Sequence, residues 1–167
     1  MSQENRALRG LTLNHIDAGF VLGTTSTYTT TATTSCSIGG KFATGLAAQT
    51  NTASPTTDAR TAAAFVALTD NKACSLVWGI NAAGAIQLCQ GPIVDTEVGI
   101  TTTAGAFKDV PPFPALPDDF CAIAYGLVRT APSAGDFTPG TSNWTATGIT
   151  ASVHVDVSQL PDRPQTA

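Results

Sequence analysis

The stretch "CSLVWGINAAGAIQLCQG", residues 74 to 91, constrains the fold more than any other part of the chain. Leu76, Trp78 and Ile80 alternate before "NAAG", and Ile86 and Leu88 alternate after it, the two-residue period of a half-buried strand. With Ala82, Ala83 and Gly84 as a three-residue loop and Gly84 in the left-handed conformation, Ile80 faces Ile86 and Trp78 faces Leu88. This register places all five apolar side chains on one face. It also separates Cys74, which joins them, from Cys89 on the opposite face, so the two cannot form a disulfide.

Similar signals recur along the chain. "AGFVLG" reads as a short apolar strand, and "STYTTTATTSCSI" as a long extended segment in which Tyr28 supplies a packing group and whose polar side meets water or another subunit. Low-complexity disorder is the alternative for this Thr run. "TDARTAAAFVAL" is either a helix capped by Thr57 or Asp58, or a strand from about Ala63 onward; the strand is preferred. "PIVDTE" fits an edge pairing, "CAIAYGLVRTA" a deeply buried strand, and "PSAGDFTPGTSNW" a turn-rich loop. In "TGITASVHVDVSQL", Val153, Val155 and Val157 alternate with Ser152, His154 and Asp156. The expected fold is all-β: a β-sandwich, jelly-roll-like domain or small barrel with long Pro/Gly-rich loops. Residues 1–15 form an N-terminal arm, 16–160 the single domain and 161–167 a C-terminal tail.

Composition agrees with a neutral, hydroxyl-rich sheet protein. Charged residues make up 12% of the chain, whereas Thr occurs 27 times and Ala 26 times. The net charge of −4 and the scattered Lys and Arg argue against nucleic-acid binding. No apolar run is long enough to span a bilayer, and "MSQENRALRG" lacks the apolar core of a secretory signal, so a soluble protein made in the cytoplasm is expected, with no membrane partner. Cys36, Cys74, Cys89 and Cys121 include no CxxC pair and read as buried free thiols, not as a metal site.

"PPFPALPDDF" places four prolines in residues 111 to 117, just before that buried strand. Proline has no amide proton and is excluded from a central ladder. This segment must therefore cross the surface, an edge or a neighbouring subunit. Pro111, Pro112, Phe113 and Pro114 are candidate interface residues on that ground, together with Tyr28 in the Thr run and Trp144.

Catalytic signals are weak. Neither His15 nor His154 has the surroundings of a triad base, and no GxSxG is present. Asp118 and Asp119 are adjacent, whereas glycosidase carboxyls normally come from separate elements. A polysaccharide hydrolase would require Asp118, Asp119, Glu97 or Asp136 to converge in a cleft. "SIGGKFATG" lacks phosphate-loop spacing, and no calcium-loop pattern surrounds the aspartates. The expectation is a protein without catalytic residues, metal or cofactor. "NWT" at 143 to 145 matches a glycosylation acceptor but carries little weight in a chain expected to stay in the cytoplasm. Trp144 itself is either an interface or sugar-stacking residue, or a lid over the end of the sandwich.

From about Cys74 onward, "LVWGINAAGAIQLCQG", "PPFPALPDDFCAIAYGLV" and "DFTPGTSNWTATGIT" with a terminal valine strand resemble a group of tailed-bacteriophage virion proteins. In those proteins a hairpin precedes a "PALP" step into a strand of the type "IGxVxV", and then an "FxPGTTxxxATGIT" segment. The likeness covers somewhat more than half the chain, and the first 70 residues add little to it. It implies a capsid decoration (cement) protein on the outer surface of the phage head. Its partners would be the major capsid protein and further copies of itself, as a dimer or, in preference, a trimer. The alternative is a head-fibre or tail-fibre domain that binds host surface glycans, for which Phe137 and Trp144 at loop tips would supply aromatic contacts.

Overall fold

The computed structural model describes residues 12–155 and 159–166, with the side chains of 153–155 left aside. Eleven strands follow in chain order: β1 (Leu13–Asn14), β2 (Val21–Leu22), β3 (Thr27–Thr30), β4 (Cys36–Ile38), β5 (Lys41–Phe42), β6 (Gln49–Ala53), β7 (Lys72–Ile80), β8 (Ile86–Gln90), β9 (Val94–Asp95), β10 (Cys121–Thr130) and β11 (Ile149–Val155). The described residues contain no helix, and therefore none long and apolar enough to cross a membrane. The expected all-β class holds, and the sheets do not close into a barrel.

The main sheet has the order β11-β10-β7-β8, with β9 pairing the start of β7 beyond the end of β8. Every pairing in it is antiparallel. The hairpin register is the expected one: Trp78 opposes Leu88, Ile80 opposes Ile86, and Gly84 adopts φ 79°. Asn81 closes the loop, its side-chain oxygen accepting the amides of Ala83 and Ala85 at 3.1 and 2.9 Å. Cys74 and Cys89 lie on opposite faces, and all four cysteines are free and buried.

One face of the main sheet is covered by strands. The small sheet β2-β3-β6 brings Phe20 and Tyr28 onto it, and β1-β4-β5 brings Cys36 against Ile80 and Cys121. An aromatic chain runs through this core: Phe20 stacks on Tyr28 at 5.6 Å and lies 5.0 Å from Trp78, which meets Trp144 edge-on at 5.7 Å, and Trp144 lies 5.4 Å from Phe137. Gly126 makes room for Trp78, since a Cβ there would stand 3.1 Å from the indole. β10 adapts to this packing with a bulge. Ala122 faces Gly79 and Ala124 faces Trp78, so Ile123 is an extra residue, and the adjacent Ile123 and Ala124 both enter the same core.

Several expectations are corrected. The Thr run is extended but splits after Thr30, its halves entering different small sheets as β3 and β4. Residues 57–68 form neither the helix nor the preferred strand from Ala63; they are irregular, with isolated bridges from Thr57 to Ala64 and from Leu68 to Phe137. Asp58 explains the failed helix: its Oδ1 accepts the amides of Arg60 and Thr61, both at 3.0 Å, closing a turn that ends at Ala62 with φ 56°. Near the end of the expected arm, Leu13 and Asn14 pair with β4, and the Gly39 amide donates to Thr12 Oγ1. The rest of the arm and the alternating side chains 153–157 lie outside the described residues. The C-terminal tail is docked, with Pro164 buried and the Gln165 amide donating to the Tyr125 hydroxyl at 3.2 Å.

Candidate functional site

The second face of the main sheet presents Val77, Cys89 and Tyr125, and no sheet formed by the described residues covers it. The proline segment does. Phe113 meets Tyr125 edge-on at 5.1 Å, Leu116 packs beside it, and Phe120 buries its ring over Gly79. Ser75 donates its hydroxyl to the carbonyl of Pro112 at 2.6 Å, supplying from a side chain the kind of bond a ladder would otherwise provide. Glycines permit the approach: a Cβ at Gly79 would sit 2.4 Å from the Phe120 ring, and one at Gly91 would sit 2.6 Å from the Pro112 carbonyl oxygen. The segment therefore crosses the surface of its own domain as a strap. Pro111 is buried, Phe113 and Pro114 are half-buried, and Pro112 is exposed.

Beside the strap lies a groove of about 670 Å³, lined among others by Asp58, Arg60, Val66, Gln90, Phe113 and Pro114. Several of its polar groups are engaged within the fold. Asp58 Oδ2 accepts the Gln90 amide at 2.9 Å, and the Gln90 side chain pairs with Val66 like a strand, accepting its amide and donating to its carbonyl, both at 2.8 Å. These contacts also cap the β8 edge, where the Ala59 amide donates to Leu88 O at 2.9 Å. The groove offers mainly apolar contact.

The other two candidate interface residues are placed inside. Tyr28 is 0% and Trp144 3% exposed, both in the aromatic core, so neither presents a surface to a partner. Trp144 is the lid over the core, because the loop before β11 folds back and seats it between Trp78 and Phe137. Phe137, expected at a loop tip, is equally buried.

The exposed apolar side chains lie elsewhere, at positions not singled out from the sequence. Val98 is 79% and Ile100 80% exposed on a narrow excursion closed by bridges between Thr96 and Phe107 and between Ile100 and Thr103. Phe42 is 85% exposed on β5, with the His15 ring 5.9 Å away, and Val66, Val21 and Ile16 are exposed to a lesser degree. A signal existed in "VGI": two apolar residues two apart, inside a Gly- and Thr-rich connection with no partner strand to cover them.

The carboxylates do not assemble. Asp118 and Asp119 sit in an exposed turn, and among the described residues no three His, Cys, Asp or Glu side chains group as metal ligands would. Asp95 pairs with Lys72, whose ammonium holds its carboxyl below the usual range. Burial pushes the thiols of Cys74 and Cys89 up to about 12. Comparison with protein-family models, with curated proteins and with solved structures finds no match to this chain.

Proposed function

We propose that the protein is a structural component of a tailed-phage virion: a decoration or cement protein on the outer capsid surface, made in the host cytoplasm and bound to the major capsid protein and to copies of itself. The observation that carries this reading is the exposure of Val98 and Ile100 on one loop, with Phe42 at a sheet edge. Large apolar groups at such positions are costly in water and gain free energy when a partner covers them. A low charge density supports the same reading, since desolvating a neutral, hydroxyl-rich surface costs little on docking. The resemblance of residues 74 onward to phage virion proteins adds the identity of the partner.

The glycan-binding alternative loses its motivating feature, because Trp144 and Phe137 are core residues. Purified protein added to expanded capsids is expected to bind at a fixed copy number and to raise their resistance to heat. Val98→Ser together with Ile100→Ser is expected to weaken that binding at least tenfold while leaving the melting temperature of the free protein unchanged. Failure of the wild type to bind capsids, or specific binding on a glycan array in its place, overturns the reading.

A further inference from the structure

Cys36 and Cys121 are distant in sequence, yet they meet where the β1-β4-β5 sheet packs on the main sheet. Each is the first residue of its strand, and with Ile80 they form one buried cluster. The Cys121 thiol lies 3.9 Å from the Ala122 carbonyl oxygen, and the mutual influence of the two thiols holds Cys36 below the ordinary thiol range and pushes Cys121 above it. Their cover is thin. Ile38, Ala43 and Leu46 pack over the pair and are only half-buried, and the adjoining strand β5 is two residues long. Short edge elements of this kind open locally at small cost.

We propose that Cys36 and Cys121 are a redox-active dithiol that closes to a disulfide on exposure to a small-molecule disulfide, covalently joining the β1-β4-β5 sheet to the main sheet. The inference is independent of the virion reading. The Cys36 thiolate attacks one sulfur of the oxidant RSSR, forming a mixed disulfide and expelling RS⁻. Cys121 then loses its proton and attacks the Cys36 sulfur, expelling the second RS⁻, so that one dithiol and one RSSR become one protein disulfide and two RSH. Cys36 is the attacking sulfur because it lies on the short β1-β4-β5 sheet, which opens more easily than the main sheet that carries Cys121. Cys74 and Cys89 serve as internal controls, since the sheet lies between them.

In the test, the intact reduced chain is incubated with oxidised glutathione and followed by mass and peptide mapping. The expected result is a loss of two hydrogens, a single cross-linked peptide pair joining Cys36 to Cys121, reversal by dithiothreitol, and a melting temperature higher by about 10 °C. Cys121→Ser is expected to stop at a glutathione adduct on Cys36, and Cys36→Ser to leave Cys121 unmodified. A native chain that keeps all four thiols, when the same chain unfolded in guanidinium is oxidised, overturns the proposal. So does a cross-link through Cys74 or Cys89. Should a serine variant fail to fold, the wild-type peptide map decides alone.

Discussion

Single atoms govern how closely the strap lies on its sheet. At Gly79 a methyl group would meet the Phe120 ring at 2.4 Å and the Cys121 carbonyl oxygen at 2.5 Å, and the backbone atom has no room to yield. Gly79→Ala is therefore expected to destabilise the protein by about 2 to 3 kcal/mol in urea titrations. Gly135 is the contrasting case, with φ 68° and nothing within 4 Å, so Gly135→Ala should cost only the left-handed strain, about 1 kcal/mol. Tyr28 tests the core from the other side. Its hydroxyl is buried without a protein partner, and burial raises its pKa. Removing that oxygen in Tyr28→Phe is expected to leave stability unchanged or raise it by up to about 1 kcal/mol, the reverse of what a hydrogen-bonded interface tyrosine would show.

At the scale of elements, legibility follows how local the determining physics is. The β7-β8 hairpin could be read from the sequence because alternation, an Asn cap and one left-handed glycine all lie within seventeen residues of one another. The β10 bulge could not, since a run as apolar as "CAIAYGLV" offers no polar residues to mark which face changes at Ile123. The placement of Trp144 depended on the path of the loop that carries it, and that path is set by Phe137 pairing with Leu68 far upstream. Residues 57–68 misled for another reason: alanines favour a helix, but Asp58 spends its carboxylate on a turn and on the β8 edge. The same segment is held by Gln90, whose amide stands in for a strand partner of Val66. Gln90→Ala is expected to cost about 1 to 2 kcal/mol and to accelerate hydrogen exchange at the Val66 amide before any other region responds.

For the molecule as a whole, two buried thiols couple stability to alkaline pH. Cys74 and Cys89 stay neutral in the folded state up to about 12, whereas in the unfolded chain they ionise near the ordinary thiol value of 9.0. Above that value the unfolded state holds fewer protons than the folded one, so stability is full below it and falls as pH rises toward about 12. Each thiol contributes a slope of about 1.4 kcal/mol per pH unit. Urea titrations at successive pH values should show this decline, and Cys89→Ala should remove the share of that one thiol, about 1.4 kcal/mol per pH unit; an unchanged slope in the variant would show that the effect lies elsewhere.

The extra residue in β10 also bears on how the folded strand could meet other copies of itself. "CAIAYGLV" is the kind of uncharged, β-prone run that stacks into flat cross-β arrays, where neighbouring copies must keep strict two-residue alternation. A strand kinked at Ile123 and carrying adjacent side chains to the same face is a poor template for such stacking. The irregularity that fits β10 to Trp78 thus also makes the folded strand a poor seed for cross-β stacking.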